Sequence, residues 1–302
     1  MCPSRTIHGP PAPPWIEIGA QIGAVSGRTL TPDRVTALHG GCINSAYRIE
    51  GGGAGYFVKL NSADKAEMFA AEAAGLQEIA RSNTVRVPRP ICHGANDAAS
   101  WLVLEYIALG RGGGMRDLGH GLAAMHRVTD NVFGWRRDNT IGATAQINTP
   151  GDDWPEFWRE HRLGYQLRLA EAKRYLGSLQ KNGARLLDKI PAFFSGYRPL
   201  PALLHGDLWS GNVGSDDAGK PVIFDPAVYY GDREADVAMT ELFGGISSDF
   251  YAAYREAYPL DAGYAVRKHL YNLYHMLNHL NLFGGGYLAQ AERMIERLLA
   301  EV

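Results

Sequence analysis

The run His205-Gly206-Asp207-Leu208-Trp209-Ser210-Gly211-Asn212, followed by Ile223-Phe224-Asp225-Pro226, constrains this chain more than any other stretch. It holds an Asp, an Asn five positions later, and a second Asp after a short apolar segment. Phosphoryl transfer needs such a set: one carboxylate to orient and deprotonate a hydroxyl, and an amide and a second carboxylate to hold magnesium. Each residue alone has a plainer reading. Asp207 could cap its own turn, Asn212 could be a turn residue beside Gly211, and Asp225 could end a strand before Pro226. Their order and spacing favour the catalytic reading, with Asp207 as base and Asn212 and Asp225 as Mg²⁺ ligands. His205 is expected to position the loop by hydrogen bonding.

Such a loop requires a nucleotide-binding frame, and the rest of the chain reads as one. The first hundred residues read as short strands plus one helix: Arg34 to Leu38, Tyr47 to Glu50 and Tyr56 to Leu60 as strands, then a helix from a Ser62 cap to about Ala80. Val87-Pro88-Arg89-Pro90 interrupts the pattern, and Trp101 to Ile107 is a strongly apolar strand. After Arg111-Gly112-Gly113-Gly114, which reads as a linker, helical spacing dominates: Met115 to Val128, Trp154 to Leu176, Arg233 to Phe243, Asp249 to Ala257, Tyr264 to Leu282, and a last helix. The expected architecture is an α+β, protein-kinase-like two-lobed fold. A small antiparallel-sheet lobe with one long helix precedes a large, mainly helical lobe. The expected divisions are a poorly ordered lead-in over 1–14, a nucleotide-binding lobe over 15–107, and a catalytic and substrate lobe over 108–302.

Within that frame, Lys59 at the end of its strand would bind the α- and β-phosphates of ATP, held by a carboxylate of the next helix. Glu67 and Glu72 are both available there, and periodicity does not choose between them. The turn Gly40-Gly41-Cys42-Ile43-Asn44-Ser45 would lay backbone N–H groups over the phosphates, although it is not a full G-x-G-x-x-G. Glu105, Tyr106 and Ile107 would offer backbone contacts to adenine. Asp232, Arg233, Glu234 and Asp236 form a dense charged cluster. Some of them favour a helix N-terminus, and Asp236 is expected to brace the catalytic loop. Trp209 could stack on a sugar face or anchor the core. His275 and His279, at i and i+4, have a zinc-compatible spacing but no third ligand, so packing is the better reading. Trp154, Phe157, Trp158 and Tyr165 read as core.

Composition narrows the partners. The chain has 302 residues, 46% of them hydrophobic, and a formal net charge of -2. That charge offers nothing to nucleic acid or an anionic membrane. Cys2, Cys42 and Cys92 form neither a disulfide framework nor a zinc motif. No signal peptide or membrane-spanning apolar run is evident. A cytoplasmic protein is expected, with a monomer favoured.

The motifs resemble the fructosamine kinase (ketosamine-3-kinase) family, a branch of the protein-kinase-like superfamily that includes aminoglycoside and choline phosphotransferases. The resemblance rests on the 205–212 loop with its tryptophan and on Phe224-Asp225-Pro226-Ala227. It also rests on Tyr230-Gly231-Asp232-Arg233-Glu234-Ala235-Asp236, Phe57-Val58-Lys59, Phe69-Ala70-Ala71-Glu72-Ala73, Arg162-Leu163 through Gln166-Leu167, and Asn281-Leu282-Phe283-Gly284-Gly285. It implies ATP- and Mg²⁺-dependent phosphorylation of the 3-hydroxyl of ketosamines, free or on glycated proteins, giving an unstable product and so reversing glycation. It implies Glu72 as the partner of Lys59. It also places Trp209, Asp232, Arg233 and Glu234 as candidate substrate residues, and a redox-sensitive thiol at Cys42. The competing expectations are a small-molecule kinase of the aminoglycoside or choline type and a non-catalytic nucleotide-binding pseudokinase.

Overall fold

The structure is a computed structural model that describes residues 14–27, 30–38, 43–110 and 113–302. Residues 1–13 of the expected lead-in, Gly40, Gly41 and Cys42 of the expected phosphate turn, and Arg111 and Gly112 of the linker lie outside them. The chain opens with helix α1 (Trp15–Ser26). Strands β1 (Arg34–Leu38), β2 (Ser45–Gly51) and β3 (Ala54–Asn61) follow, then helix α2 (Ala66–Ser82) and strands β4 (Pro90–Ala95) and β5 (Ser100–Glu105). These strands form one antiparallel sheet in the order β1-β2-β3-β5-β4.

Both faces of the sheet are covered. Side chains alternate along a strand, so Val58 and Leu60 of β3 point to one face, and Phe57, Lys59 and Asn61 to the other. The first face joins Ile18 and Ile22 of α1 with Ile49, Trp101 and Val103 in a small core. The second meets α2, where Phe69, Leu76 and Ile79 pack with Leu102 and Leu104. Two-sided burial explains why Trp101 to Leu104 reads as a continuous apolar run. Each fully buried side chain of this size contributes about 1.5–3 kcal/mol. The expectation of a single helix in this region is corrected by α1, whose Gly19 and Gly23 lower its helix propensity and whose Ile16 faces solvent. Ser62 makes no side-chain cap; a 3₁₀ turn over Ala63–Lys65 starts the helix instead.

The second region is mainly helical: α3 (Met115–Met125), α4 (Trp154–Trp158), α5 (Tyr165–Ala172), α6 (Ser178–Lys189), α7 (Glu234–Leu242), α8 (Ser248–Ala257), α9 (Tyr264–Phe283) and α10 (Leu288–Leu299). A π-helical turn over Arg159–Gly164 joins α4 to α5. Trp154, Phe157 and Trp158 are core residues, stacked among Phe133, Tyr229 and Tyr271. Three short two-stranded ladders interrupt the helices. They pair β6 (Asn139–Ile141) with β7 (Thr144–Gln146), β8 (Ala202–Leu204) with β11 (Tyr229–Gly231), and β9 (Val213–Ser215) with β10 (Pro221–Ile223). Among the described residues, no helix is long and apolar enough to cross a membrane.

The start of α7 is fixed by an ion pair inside the helical core. Arg267 of α9 grips Glu234 with Nε to Oε2 at 2.8 Å and Nη2 to Oε1 at 2.9 Å, and both side chains are buried. Removing one partner leaves a buried charge without compensation. Arg267→Ala is therefore expected to lower the unfolding free energy by about 3–5 kcal/mol, read from urea denaturation. A loss below ~1 kcal/mol, the scale of an exposed pair, would mean that water reaches Glu234.

Candidate active site

Two ladders bring the sequence motif together. In the β9–β10 hairpin, Val213 lies opposite Ile223, and the Phe224 amide donates to the Asn212 carbonyl at 3.1 Å. Asn212 and Asp225 thus flank the open end of one hairpin. In the other ladder, Leu204 pairs with Tyr229, and the Ala227 amide donates to the His205 carbonyl at 2.8 Å. The loop after β8 is thereby held against the segment before β11. Gly206 makes this approach possible: its φ is +83°, and a Cβ there would stand 2.1 Å from the Ala227 carbonyl oxygen.

Asp207 is half-buried at the centre. Burial, and then the nearby Asp225 and Asp236 carboxylates, push its carboxyl up to about 7, against a hydrogen bond from Asn212. A carboxylate with that proton affinity suits general-base work near neutral pH. Asn212 Nδ2 donates to the Asp207 carbonyl at 2.9 Å, which fixes the amide and, among the described residues, leaves Oδ1 with no hydrogen bond. Among the described residues Asp225 Oδ2 also has no partner; its side chain is 48% exposed and its φ is +58°, a strained conformation for a non-glycine residue. An uncommitted amide oxygen and a partly open carboxylate are hard oxygen donors, and this set fits Mg²⁺, which takes few protein groups and completes its shell with phosphates and water. Among the described residues, no group of three or more His, Cys, Asp or Glu could hold a metal ion. The His275 carbonyl lies 2.8 Å from His279 Nδ1, and burial pushes His275 down to about 3.

Lys59 reaches this centre from β3. Its Nζ lies 2.6 Å from Glu72 Oε1 and 2.5 Å from Asp225 Oδ1. Burial opposes its charge, but Asp225 and Glu72 more than offset that and hold its proton affinity above the ordinary lysine value. Glu67 turns instead to Arg137, at 3.0 Å. In the remainder of the phosphate turn, Asn44 accepts from Asn61 at 2.7 Å and Ser45 opens β2. The Glu105 amide is already committed to the Arg89 carbonyl at 2.9 Å, so that N–H is not free for adenine. Tyr106 and Ile107 lie beyond β5, with Arg48 stacked 4.2 Å from the Tyr106 ring.

Behind the loop, Asp236 accepts the His205 amide at 2.7 Å and the Gly206 amide at 2.8 Å. A chain of donors continues outward. His126 Nε2 lies 3.2 Å from Asp236, His126 Nδ1 lies 2.8 Å from the Tyr254 hydroxyl, and Arg233 donates to that hydroxyl at 3.0 Å. The arrangement fits neutral His126 protonated on Nε2 and accepting from Tyr254 on Nδ1. Burial would raise Asp236, but the bonds from His126 and the Gly206 amide hold its carboxyl below the usual carboxylate range. His205 Nε2 bonds the Phe224 carbonyl at 3.0 Å, tying the loop to the Asp225 turn.

Asp232, Arg233 and Glu234 were expected as candidate substrate residues. All three are buried with internal partners. Asp232 accepts from Tyr197 and Tyr271, Arg233 donates to the Tyr258 and Pro259 carbonyls, and Glu234 is held by Arg267. Trp209 stays 39% exposed. Its indole folds over Gly211, where a Cβ would meet ring carbon Cη2 at 2.2 Å. Two positioning residues carried no sequence signal. One is His126, a single histidine in a helical stretch. The other is Arg86, which bridges Glu105 and Asp216 and so ties the sheet's last strand to the β9–β10 hairpin.

The family model for fructosamine kinase matches residues 14–301. A probable ketoamine kinase of Synechocystis sp. is 49% identical over 289 residues, covering 95% of this chain and 97% of the relative. The chloroplastic protein-ribulosamine 3-kinase of Arabidopsis thaliana is 42% identical over 279 residues, covering 90% and 85%. The crystal structure of a fructosamine-3-kinase candidate from Haemophilus somnus superposes with a TM-score of 0.87 at 29% identity, covering 93% and 96%. An aminoglycoside phosphotransferase crystallised with ADP and hygromycin B shares the fold, with a TM-score of 0.58 at 16% identity, covering 94% and 98%.

Gly206→Ala tests the loop geometry. Positive φ alone costs about 1–3 kcal/mol, and the carbonyl contact adds to it. The urea midpoint is expected to fall accordingly; an unchanged midpoint would show that the loop has another backbone path. Over nearly its whole length, in sequence and fold, the chain belongs to the fructosamine kinase family, which makes it a ketoamine-type phosphotransferase.

Proposed function

We propose that the chain transfers the γ-phosphoryl group of ATP to the 3-hydroxyl of a ketosamine, and that the product then releases its amine. The observation that carries this reading is the convergence of Lys59, Asp207, Asn212 and Asp225 from a strand, a loop and the two ends of a hairpin. In the proposed roles, Asp207 accepts the hydroxyl proton and aims its oxygen. Asn212 Oδ1 and Asp225 would hold magnesium. Lys59, steadied by Glu72, neutralises phosphate charge. Magnesium held there would supply positive charge to offset the negative charge that develops in transfer. Asp236 and His205 keep the loop in place and need not touch substrate. The carbonyl-bearing sugar is inferred from the family and from the relative named as a protein-ribulosamine 3-kinase.

The intact catalytic set argues against a pseudokinase. Asp207→Asn preserves shape but removes the base, so kcat on a ketosamine is expected to fall at least ~10²-fold, with ATP binding kept. A wild-type enzyme that phosphorylates choline or aminoglycosides but none of a panel of fructosamines and ribulosamines would refute the substrate assignment.

A further inference from the structure

The β6–β7 hairpin holds a buried polar network that the proposed chemistry does not use. Asn139, Gln146, Asn148 and Arg162 are all buried, and their side chains bond one another in series. Arg162, set in the π-helical turn, donates from Nη2 to Asn148 Oδ1 at 2.8 Å. Asn148 Nδ2 donates to Asn139 Oδ1 at 2.9 Å, and Gln146 Nε2 donates to the same oxygen at 2.9 Å. The series ends on the main chain just past Asp225. Asn139 Nδ2 reaches the Val228 carbonyl at 2.8 Å, and Gln146 Nε2 reaches the Ala227 carbonyl at 3.0 Å. Its direction is set by its two ends. A guanidinium only donates and a main-chain carbonyl only accepts, so Asn148 and Asn139 accept on the Arg162 side and donate on the other. Bonds aligned in this way polarise one another.

We propose that Asn139 and Gln146 are positioning residues for the carboxylate of Asp225, with Arg162 fixing the direction in which the amides donate. The proposal rests on the reading above of Asp225 as a magnesium ligand. Asp225 sits at φ +58°, a conformation that neighbouring structure has to maintain. Ala227, two residues on, is where that support converges. Its amide donates to the His205 carbonyl of the catalytic loop at 2.8 Å, while its carbonyl accepts from Gln146. One residue thus sets the spacing between the catalytic loop, the Asp225 turn and the hairpin. The hairpin is itself anchored to α9. Tyr274 donates to Gln146 Oε1 at 2.8 Å, and Asn278 donates to the Ile141 carbonyl at 3.2 Å. At the tip, a Cβ on Gly142 would stand 3.0 Å from both Ile43 and Leu282. Among the described residues, the acceptors of Arg162 are the Ile147 and His161 carbonyls and Asn148, all neutral. A buried guanidinium without a carboxylate partner is costly to keep; what it contributes here is the fixed order of the amides.

The test measures manganese(II) binding to the ADP complex by electron paramagnetic resonance in the wild type, Gln146→Met and Asn139→Leu. Both substitutions keep size and neutrality and remove the donor. A hydrogen bond of this kind is worth about tenfold in an equilibrium, so the manganese dissociation constant is expected to rise by about that factor. Affinity for ADP without metal is expected to stay unchanged, because Lys59 keeps its Glu72 partner. Partial unfolding lowers the number of sites and leaves their dissociation constant alone, so a merely structural role moves neither affinity. A manganese affinity equal to that of the wild type in both variants overturns the proposal. So does an equal loss of metal-free ADP binding, because the whole cleft would then have loosened. A wild-type ADP complex that takes up no manganese refutes the metal site and the proposal with it. A shifted manganese affinity in an enzyme that turns over no ketosamine supports the positioning role and refutes the substrate reading alone.

Discussion

The buried ammonium of Lys59 is the constraint on which the two parts of the molecule depend. A charge removed from water is tolerated only when it is paired, and Lys59 has partners on both sides, Glu72 from α2 and Asp225 from the distant hairpin. This one group therefore fixes where α2 lies on the sheet and where the Asp225 turn lies against both. The lysine points there because of residues that never touch the site. Val58 and Leu60 are committed to the core beneath α1, and strand alternation leaves Lys59 on the opposite face. A slip of one residue in β3 would bury a leucine at the catalytic centre and expose the lysine to the wrong core. The same ion pair helps to hold Asp225 in its strained backbone conformation, since the surrounding structure must supply the compensation.

A second carboxylate plays the equivalent part within the helical region. Asp236 does no chemistry in the proposed scheme, yet it receives two consecutive loop amides and one imidazole. Loop backbone that enters a core must find partners for its N–H groups, and Asp236 supplies them where neither helix nor strand can. The chain through His126 and Tyr254 to Arg233 then orients that carboxylate from α3 and α8. The reactive loop is thus set by rigid elements on both sides, the condition for holding a catalytic group within a fraction of an ångström.

How much of this was legible in the sequence follows from where each signal resides. The 205–212 loop and Asp225 could be read because their chemistry fixes residue types at fixed spacing. Most helices of the second region were legible from apolar periodicity. The Glu67 and Glu72 alternative could not be resolved from periodicity, because the answer depends on how α2 is rotated over the sheet. The same limit applies to Asp232, Arg233 and Glu234. A charged cluster at a helix start looks alike whether it faces a ligand or a buried arginine, and Arg267 lies in a helix that begins thirty residues later. Burial of a charge is a property of the assembled fold. His126 and Arg86 were invisible for the same reason, since both act through tertiary partners distant in sequence.

Trp209 stands outside the phosphoryl-transfer set. Base, amide and carboxylate are what any phosphotransferase of this fold requires, and none of them needs an indole two residues from the base. The ring is held: Gly211 lies under it, with no room for a β-carbon, and Phe243 meets its edge. A fold able to bury a tryptophan this close to its core instead keeps the ring in water, in line with two more exposed aromatics. Apolar surface left exposed beside a polar reaction centre is stable there only in the sense that the fold tolerates it; its free energy is recovered when a ligand covers it.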